Sequence, residues 1–288
     1  MAHRSLAGKI TAERFVDGDA CAVAVASLPL CRSPDGPRDR EILCGEQFVV
    51  LEWPEDMSNG WAYGFLERDG YCGYVHVHFL RPASVATHRV AVRETYRKET
   101  PDLKKTERTL PLFLGSRVCV KDIVGDWAEI ALRLGGPGAD RVFDYYVPAA
   151  HLKPVDEPET DPVDVARRFL GTPYLWGGNS ARGIDCSGIV QAAFLACGWA
   201  CPGDSDLQEA MPGTRLPDAH ALEAGDLLFW RGHVAMVAGP DSMLHANAHH
   251  MMVVEEPISD AIHRIAATDT GPVTTRLRPD RRRWTPVF

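Results

Sequence analysis

Cys186 stands in Asp185-Cys186-Ser187-Gly188, between a glycine-rich run, Gly177-Gly178-Asn179, and an apolar-periodic segment carrying Ile189, Val190, Ala193 and Phe194. That setting predicts a cysteine at or beside the first turn of a helix, where unpaired N–H groups and the helix dipole favour negative charge. A thiol there loses its proton more readily than a free one, and the thiolate is the nucleophile. Downstream, Gly232-His233-Val234 and Leu244-His245-Ala246 each sit in a strand-like setting. Positions 233 and 245 are symmetric about residue 239, within the turn signal Gly239-Pro240-Asp241. Adjacent strands lie about 4.8 Å apart, so the two imidazoles are predicted to be cross-strand neighbours that hydrogen-bond ring to ring. A thiolate, an imidazole that takes and returns the proton, and a third group that fixes its tautomer make a nucleophilic triad.

The elements that must position these groups are legible in outline. Apolar positions 189, 190, 193, 194 and 197 mark the Cys186 helix, with Gly198 as its stop. Strands are predicted over 226–230, 233–238 and 242–245. An earlier helix starts with Asp161 as N-cap and Pro162 at its first position, and runs through Val165, Ala166, Phe169 and Leu170 to Gly171. The acidic, proline-rich stretch 154–162 before it is a domain boundary by composition.

At 288 residues the chain has length for about two domains, and its net charge of −8 argues against a nucleic-acid or anionic-membrane surface. The basic cluster 276–283 is expected to be a solvated tail. Residues 1–20 are polar and mixed in charge, with no apolar run of secretory length, and the longest apolar stretch, 21–30, is too short to span a bilayer. The expectation is a soluble, cytoplasmic protein whose eight irregularly spaced cysteines are reduced thiols; Cys197 and Cys201 are assigned to packing. His245, His249 and His250 have spacing for two metal ligands, but no carboxylate or cysteine pattern completes a zinc site, so neither metal nor cofactor is expected.

The first 155 residues contain an internal echo. Gly60-Trp61-Ala62 is followed by Tyr74-Val75, Leu80 and Pro82; Gly125-Asp126-Trp127-Ala128 is followed by Tyr146-Val147, Leu152 and Pro154. Upstream, Gly45-x-x-Phe48-x-Val50 matches Gly115-x-x-Val118-x-Val120. Alternating runs broken by Asp-Gly, Asn-Gly and Gly-Gly signals predict two small all-β units, with the tryptophans and Tyr146 in their cores. The pattern Leu43-x-Gly45-Glu46-x-x-x-Val50, Gly-Trp, and Asp69-Gly-Tyr71-x-Gly-Tyr-Val75 resembles a bacterial SH3-like barrel, and the second copy is more divergent. The expected organisation is a first barrel with an N-terminal extension (1–85), a second barrel (86–155) and a catalytic domain (156–288).

Four ordered motifs carry a second resemblance: Gly171-Thr-Pro-Tyr-Leu-Trp-Gly-Gly178, Asp185-Cys-Ser-Gly188, Gly225-Asp-Leu227 and Gly232-His-Val234. Together they resemble the NlpC-type papain-like cysteine peptidases, over residues 161–267. The fold implied is an α+β papain-like domain behind two all-β barrels. Cys186, His233 and His245 fall where that family places nucleophile, base and third polar residue. The subgroup with two N-terminal barrels resembles γ-D-glutamyl-L-diamino-acid endopeptidases, which recycle murein peptides bearing a free N-terminal L-Ala. This implies L-Ala-γ-D-Glu-diamino acid peptides as substrates. By the same resemblance Asp185, Tyr174 and Ser187 bind the substrate ammonium, with Tyr71 and Glu46 from the first barrel. Asp204 and Ser205 line the site in a segment where Gly203 replaces the family's usual arginine. Rival readings are a non-catalytic cell-wall peptide binder, or an acyltransferase or amidase on the same core. The oligomeric state is not fixed by the sequence.

Overall fold

A computed structural model describes residues 1–134 and 141–280. The Gly135-Gly136 turn signal and Arg281, Arg282 and Arg283 lie outside the described residues. The chain divides into two compact units, Met1–Glu157 and a second that begins at Pro158.

In the first unit a short parallel pair, β1 (Ala2–His3) and β2 (Phe15–Val16), precedes a seven-stranded antiparallel sheet. Its strands are β3 (Asp19–Val23), β4 (Ser27–Cys31), β5 (Arg38–Leu43), β6 (Gln47–Glu52), β7 (Trp61–Leu66), β8 (Cys72–His76) and β9 (Leu80–Pro82). The apolar stretch 21–30 is therefore divided between two strands, and Cys21, Val23, Leu28 and Leu30 all enter the core with Phe48, Val50 and Leu66. A second sheet follows from β10 (His88–Val90), with a separate hairpin of β11 (Glu94–Arg97) and β12 (Leu110–Phe113), then β13 (Arg117–Val124), β14 (Trp127–Leu134), β15 (Arg141–Pro148) and β16 (Leu152–Pro154). It has its own core of Val90, Leu112, Val118, Ile130 and Val147.

The sequence echo extends to topology. Five strands of the first sheet run in the order β8-β7-β6-β3-β9, and the second sheet runs β15-β14-β13-β10-β16. Gly45 and Gly115 turn the chain into β6 and β13 with φ of +76° and +93°, a region side chains disfavour. Each Tyr-Val pair leads through a single 3-10 turn into the closing short strand. Of the aromatic residues expected in the cores, Trp127 is buried, whereas Trp61 and Tyr146 are half-buried at the sheet surface.

The second unit begins with α1 (Pro162–Arg167), capped by Asp161, whose carboxylate accepts from Val163 N at 2.8 Å. The regular helix ends at Arg167, shorter than the apolar periodicity suggests. Turns carry the chain on to Gly171 at φ +77°, and Phe169 is buried from that turn instead. A small hairpin, β17 (Asn179–Ser180) and β18 (Gly183–Ile184), leads into α2 (Cys186–Ala196) and then α3 (Ser205–Glu209). Gly198, at φ +74°, ends α2 in a Schellman-type closure with Trp199 N bonded to Phe194 O at 2.9 Å. The remaining elements are β19 (Gly213–Arg215), β20 (Leu227–Trp230), β21 (His233–Val237), β22 (Ser242–Asn247), β23 (Met252–Pro257), α4 (Ile258–Ala266) and β24 (Thr275–Pro279).

These strands form one antiparallel sheet, ordered β19-β24-β20-β21-β22-β23. A core of Leu228, Trp230, Ala235, Val237 and Met243 takes up Ala261, Ile258, Ile262 and Ile265 of α4, while α2 packs on β21 and β22. The basic cluster is not wholly a solvated tail. Arg276 and Arg278 belong to β24 inside the sheet, and Arg278 pairs with Asp226, which is 2% exposed, at 2.8 Å. A buried carboxylate needs such a partner. No helix among the described residues is long and apolar enough to cross a membrane, and all eight cysteines are free thiols, Cys197 and Cys201 both buried.

Candidate active site

The head of α2 is built by the glycine-rich loop folding over it. Asp185 is the N-cap: Oδ1 accepts from Gly188 N at 2.6 Å and from Ser187 Oγ at 3.1 Å, and Oδ2 accepts from Gly177 N at 2.9 Å. One carboxylate thus satisfies a donor of the helix and a donor of the loop, which fixes where Cys186 begins the helix. Gly188 is required by closeness: a Cβ there would lie 2.7 Å from Gly178 O and 2.9 Å from Asn179 Oδ1. Cys186 is buried at 5% exposure and heads the first turn, where backbone N–H groups point out of the helix.

Tyr174 leaves the loop half-buried, bonded through its backbone to Met251 O at 2.9 Å. Burial raises its phenol pKa, and the nearby charges of Cys186 and Asp185 add to the rise, so the hydroxyl stays protonated and able to donate. The structure therefore gathers Tyr174, Asp185, Cys186 and Ser187 at one place.

Asp204 and Ser205 sit at the start of α3, and Asp204 makes no side-chain cap bond to it. What ties that segment to the nucleophile helix is Gln208, fully buried, whose Nε2 donates to Ser187 O and Pro202 O, each at 2.9 Å. Gln191 and Asn179 form a second buried tie, Asn179 Nδ2 to Gln191 Oε1 at 3.0 Å. Sequence reading overlooked both, because neither a polar side chain inside an apolar helix nor one on a two-residue strand carries a signal of its buried partner.

Tyr71 and Glu46 belong to the first unit. Tyr71 packs against its core and under the Arg40 guanidinium, 5.8 Å from the ring centre. Glu46 is 8% exposed, accepts from Leu43 N at 2.7 Å, and forms a buried ion pair with Arg68.

His233 and His245 are brought together, by a register different from the expected one. Met236 faces Leu244 and Val237 faces Met243, so β21 and β22 are centred on residue 240, not 239. The three residues of the Gly239-Pro240-Asp241 signal are themselves centred on 240, and Ala238 N bonds Ser242 O at 2.8 Å across them. The histidines are consequently diagonal neighbours, still within reach of long side chains, and His233 Nε2 lies 2.8 Å from His245 Nδ1. Gly232, at φ +73°, permits the two-residue turn that sets His233 opposite Trp230, ring centres 5.6 Å apart.

Behind His245 stands a residue the sequence reading missed. Glu256 Oε1 lies 2.7 Å from His245 Nε2, and Arg264 of α4 holds both carboxylate oxygens at 2.5 and 2.7 Å. Burial alone would push the Glu256 carboxyl up, but bonds from His245 and Arg264 outweigh it and hold the pKa down at about 2. Burial lowers His245 against the opposing pull of Glu256. Burial, and then His245, press His233 down to about 3. Near neutral pH the pair is two neutral imidazoles backed by an anion. His249 and His250 are in the turn after β22, and among the described residues no group of three His, Cys, Asp or Glu could hold a metal ion.

With this geometry in hand, the likenesses to known proteins are specific. Residues 171–267 match the NlpC/P60 family, and residues 30–80 match the bacterial dipeptidyl-peptidase Sh3 domain. Dipeptidyl-peptidase 6 of Lysinibacillus sphaericus is 39% identical over 228 residues, covering 72% of this chain and 79% of that protein. The gamma-D-glutamyl-L-lysine dipeptidyl-peptidase of Bacillus subtilis is 39% identical over 109 residues, 35% of each chain. The crystal structure of an NlpC/P60 family protein from Bacillus cereus superposes with a TM-score of 0.71 at 18% identity, over 90% of this chain and 99% of the other, a likeness of fold. A papain-like domain with a cysteine at its helix head and a bacterial SH3 domain before it leaves one assignment: the chain belongs to the NlpC/P60 family and is a cysteine peptidase.

Proposed function

We propose that this peptidase cleaves the bond between γ-D-Glu and the diamino acid of murein peptides with a free N-terminal L-Ala, in the cytoplasmic recycling of cell-wall fragments. The relatives named for γ-D-glutamyl-L-lysine dipeptidyl-peptidase activity support the substrate class. The observation that carries the chemistry is the bonded sequence Glu256–His245–His233 in a sheet against which the Cys186 helix packs. We further propose that residues 86–155 are a second SH3-like barrel, supported by its matching five-strand order, so that the chain has three domains, 1–85, 86–155 and 156–288.

In this reading His233 Nδ1 takes the Cys186 proton as sulfur attacks the γ-carbonyl. The C–S bond forms, and the imidazolium returns its proton to the departing diamino-acid nitrogen as the C–N bond breaks. Water then attacks the thioester with His233 again as base, which releases L-Ala-D-Glu and restores the thiol. N–H groups at the head of α2 are the natural donors to the oxyanion. Asp185, Tyr174 and Ser187 receive the substrate ammonium, and Asp204 and Ser205 line the approach. Comparing L-Ala-γ-D-Glu-meso-diaminopimelate with its N-acetylated form tests the specificity. Release of L-Ala-D-Glu from the free-amine peptide alone is expected; equal cleavage of both rejects the ammonium roles.

A further inference from the structure

Two side chains contend for one nitrogen of His245. Glu256 Oε1 lies 2.7 Å from Nε2, and Asn247 Nδ2 lies 2.9 Å from the same atom. The orientation of the Asn247 amide is fixed from its other end, because its Oδ1 accepts from His250 N at 2.8 Å. Its NH2 group therefore faces His245. An ionised carboxylate only accepts and an amide NH2 only donates, so Nε2 can satisfy one of them at a time. Glu256 requires hydrogen on Nε2; Asn247 requires a bare lone pair there.

The choice is transmitted. His245 Nδ1 and His233 Nε2, 2.8 Å apart, share one hydrogen. With hydrogen on His245 Nε2, its Nδ1 is bare, His233 donates from Nε2, and His233 Nδ1 carries the lone pair. With His245 Nε2 bare, both rings reverse, and His233 Nδ1 carries hydrogen and has no basic pair to offer.

We propose that Glu256 is a positioning residue that selects the Nε2–H form of His245 against the form Asn247 favours, and so keeps the His233 Nδ1 lone pair available. A charged acceptor forms the stronger bond, and Arg264 anchors it from α4. The other charged or polar groups facing the pair are His250 in the turn and the Trp230 ring on β20. The catalytic consequence rests on the roles proposed for Cys186 and His233; the tautomers themselves do not.

The test is the ring nitrogen shifts of histidine in the 15N-labelled full chain near neutral pH, with peptide cleavage measured in parallel. Wild type is expected to show Nε2–H in both His233 and His245. In Glu256→Gln, Arg264 holds the amide oxygen and the amide NH2 turns toward His245, adding a second donor. Both rings should then become Nδ1–H, and kcat should fall about 10²–10⁴-fold, as for other tautomer losses, with KM within about threefold. Adding Asn247→Leu to Glu256→Gln should return part of the Nε2–H form and part of the rate. A wild-type spectrum with His245 as Nδ1–H overturns the proposal without any variant. So does Glu256→Gln with unchanged tautomers, even if its rate falls. Expected tautomers in an enzyme that leaves the peptide uncut would reject the proposed function instead.

Discussion

His233 and His245 share a 2.8 Å hydrogen bond from diagonal, not opposed, positions on β21 and β22. Diagonal pairing leaves the outer nitrogen of His245 pointing on toward β23, where Glu256 meets it. The resulting line of bonds crosses four consecutive elements, from β21 to α4.

That line makes stability depend on pH in a particular window. The fold holds His233 neutral, with its pKa at about 3, while the unfolded chain protonates it near the ordinary value of about 6.5. Between those values the unfolded state binds more protons, so this contribution is complete above about pH 6.5 and is lost as pH falls toward 3. Glu256 acts in the same direction lower down, from about 4.3 toward about 2. Denaturant midpoints at pH 7 and pH 5 should differ less in His233→Gln than in wild type. An equal difference would place the acid sensitivity elsewhere.

Asp185 separates two roles. Asp185→Asn keeps the oxygen that caps Gly188 N but sets a donor against Gly177 N, at a cost of about 1 kcal/mol. Asp185→Ala also loses the cap, for about 1 kcal/mol more. Both variants should lose the preference for a free over an acetylated N-terminus. If Asp185→Asn keeps that preference, its carboxylate serves the helix alone.

Gly188→Ala should destabilise the chain, although alanine is the better helix former by about 1 kcal/mol. The added Cβ meets a backbone oxygen of the loop at 2.7 Å, and overpacking of this kind costs about 1–3 kcal/mol. Thermal melting gives the sign, and cleavage should fall with it because the head of α2 must shift. A stabilised variant would mean that the loop yields easily.

In the first unit, Arg68→Met leaves the buried Glu46 without its partner and should cost about 3–5 kcal/mol. The double change Arg68→Met with Glu46→Gln should recover part of that. Urea unfolding of the three chains checks it; a double variant no more stable than Arg68→Met would mean that Arg68 acts through packing or through its other buried partner, Asp69.

The parts legible in sequence were those with local signatures. Asp185-Cys186-Ser187-Gly188 announced a capped helix start, and Gly198 its end, because caps are read from adjacent residues. Register was misread because the midpoint of the two histidines, 239, was taken as the hairpin centre, whereas the Gly239-Pro240-Asp241 turn centres on 240 and leaves the histidines diagonal. Glu256 was hidden for a related reason. Glu255 and Glu256 are adjacent acids on β23, and alternation sends Glu255 to Arg167 and Ser242 but Glu256 to His245. Which of the two meets the histidine depends on the pairing of Met243 with Glu256, a non-local fact. Arg276 and Arg278 misled by charge alone, because a run of arginines looks solvated until Asp226 is placed beside it.

We propose that Cys186 performs nucleophilic cleavage of a γ-D-glutamyl bond. The most direct measurement is mass spectrometry of L-Ala-γ-D-Glu-meso-diaminopimelate incubated with wild type, with wild type plus a chelator, and with Cys186→Ala. L-Ala-D-Glu and free diaminopimelate are expected from the first two, with at least a ~10³-fold slower release from the third. Cleavage that survives Cys186→Ala, or that disappears with the chelator, would contradict this role of Cys186.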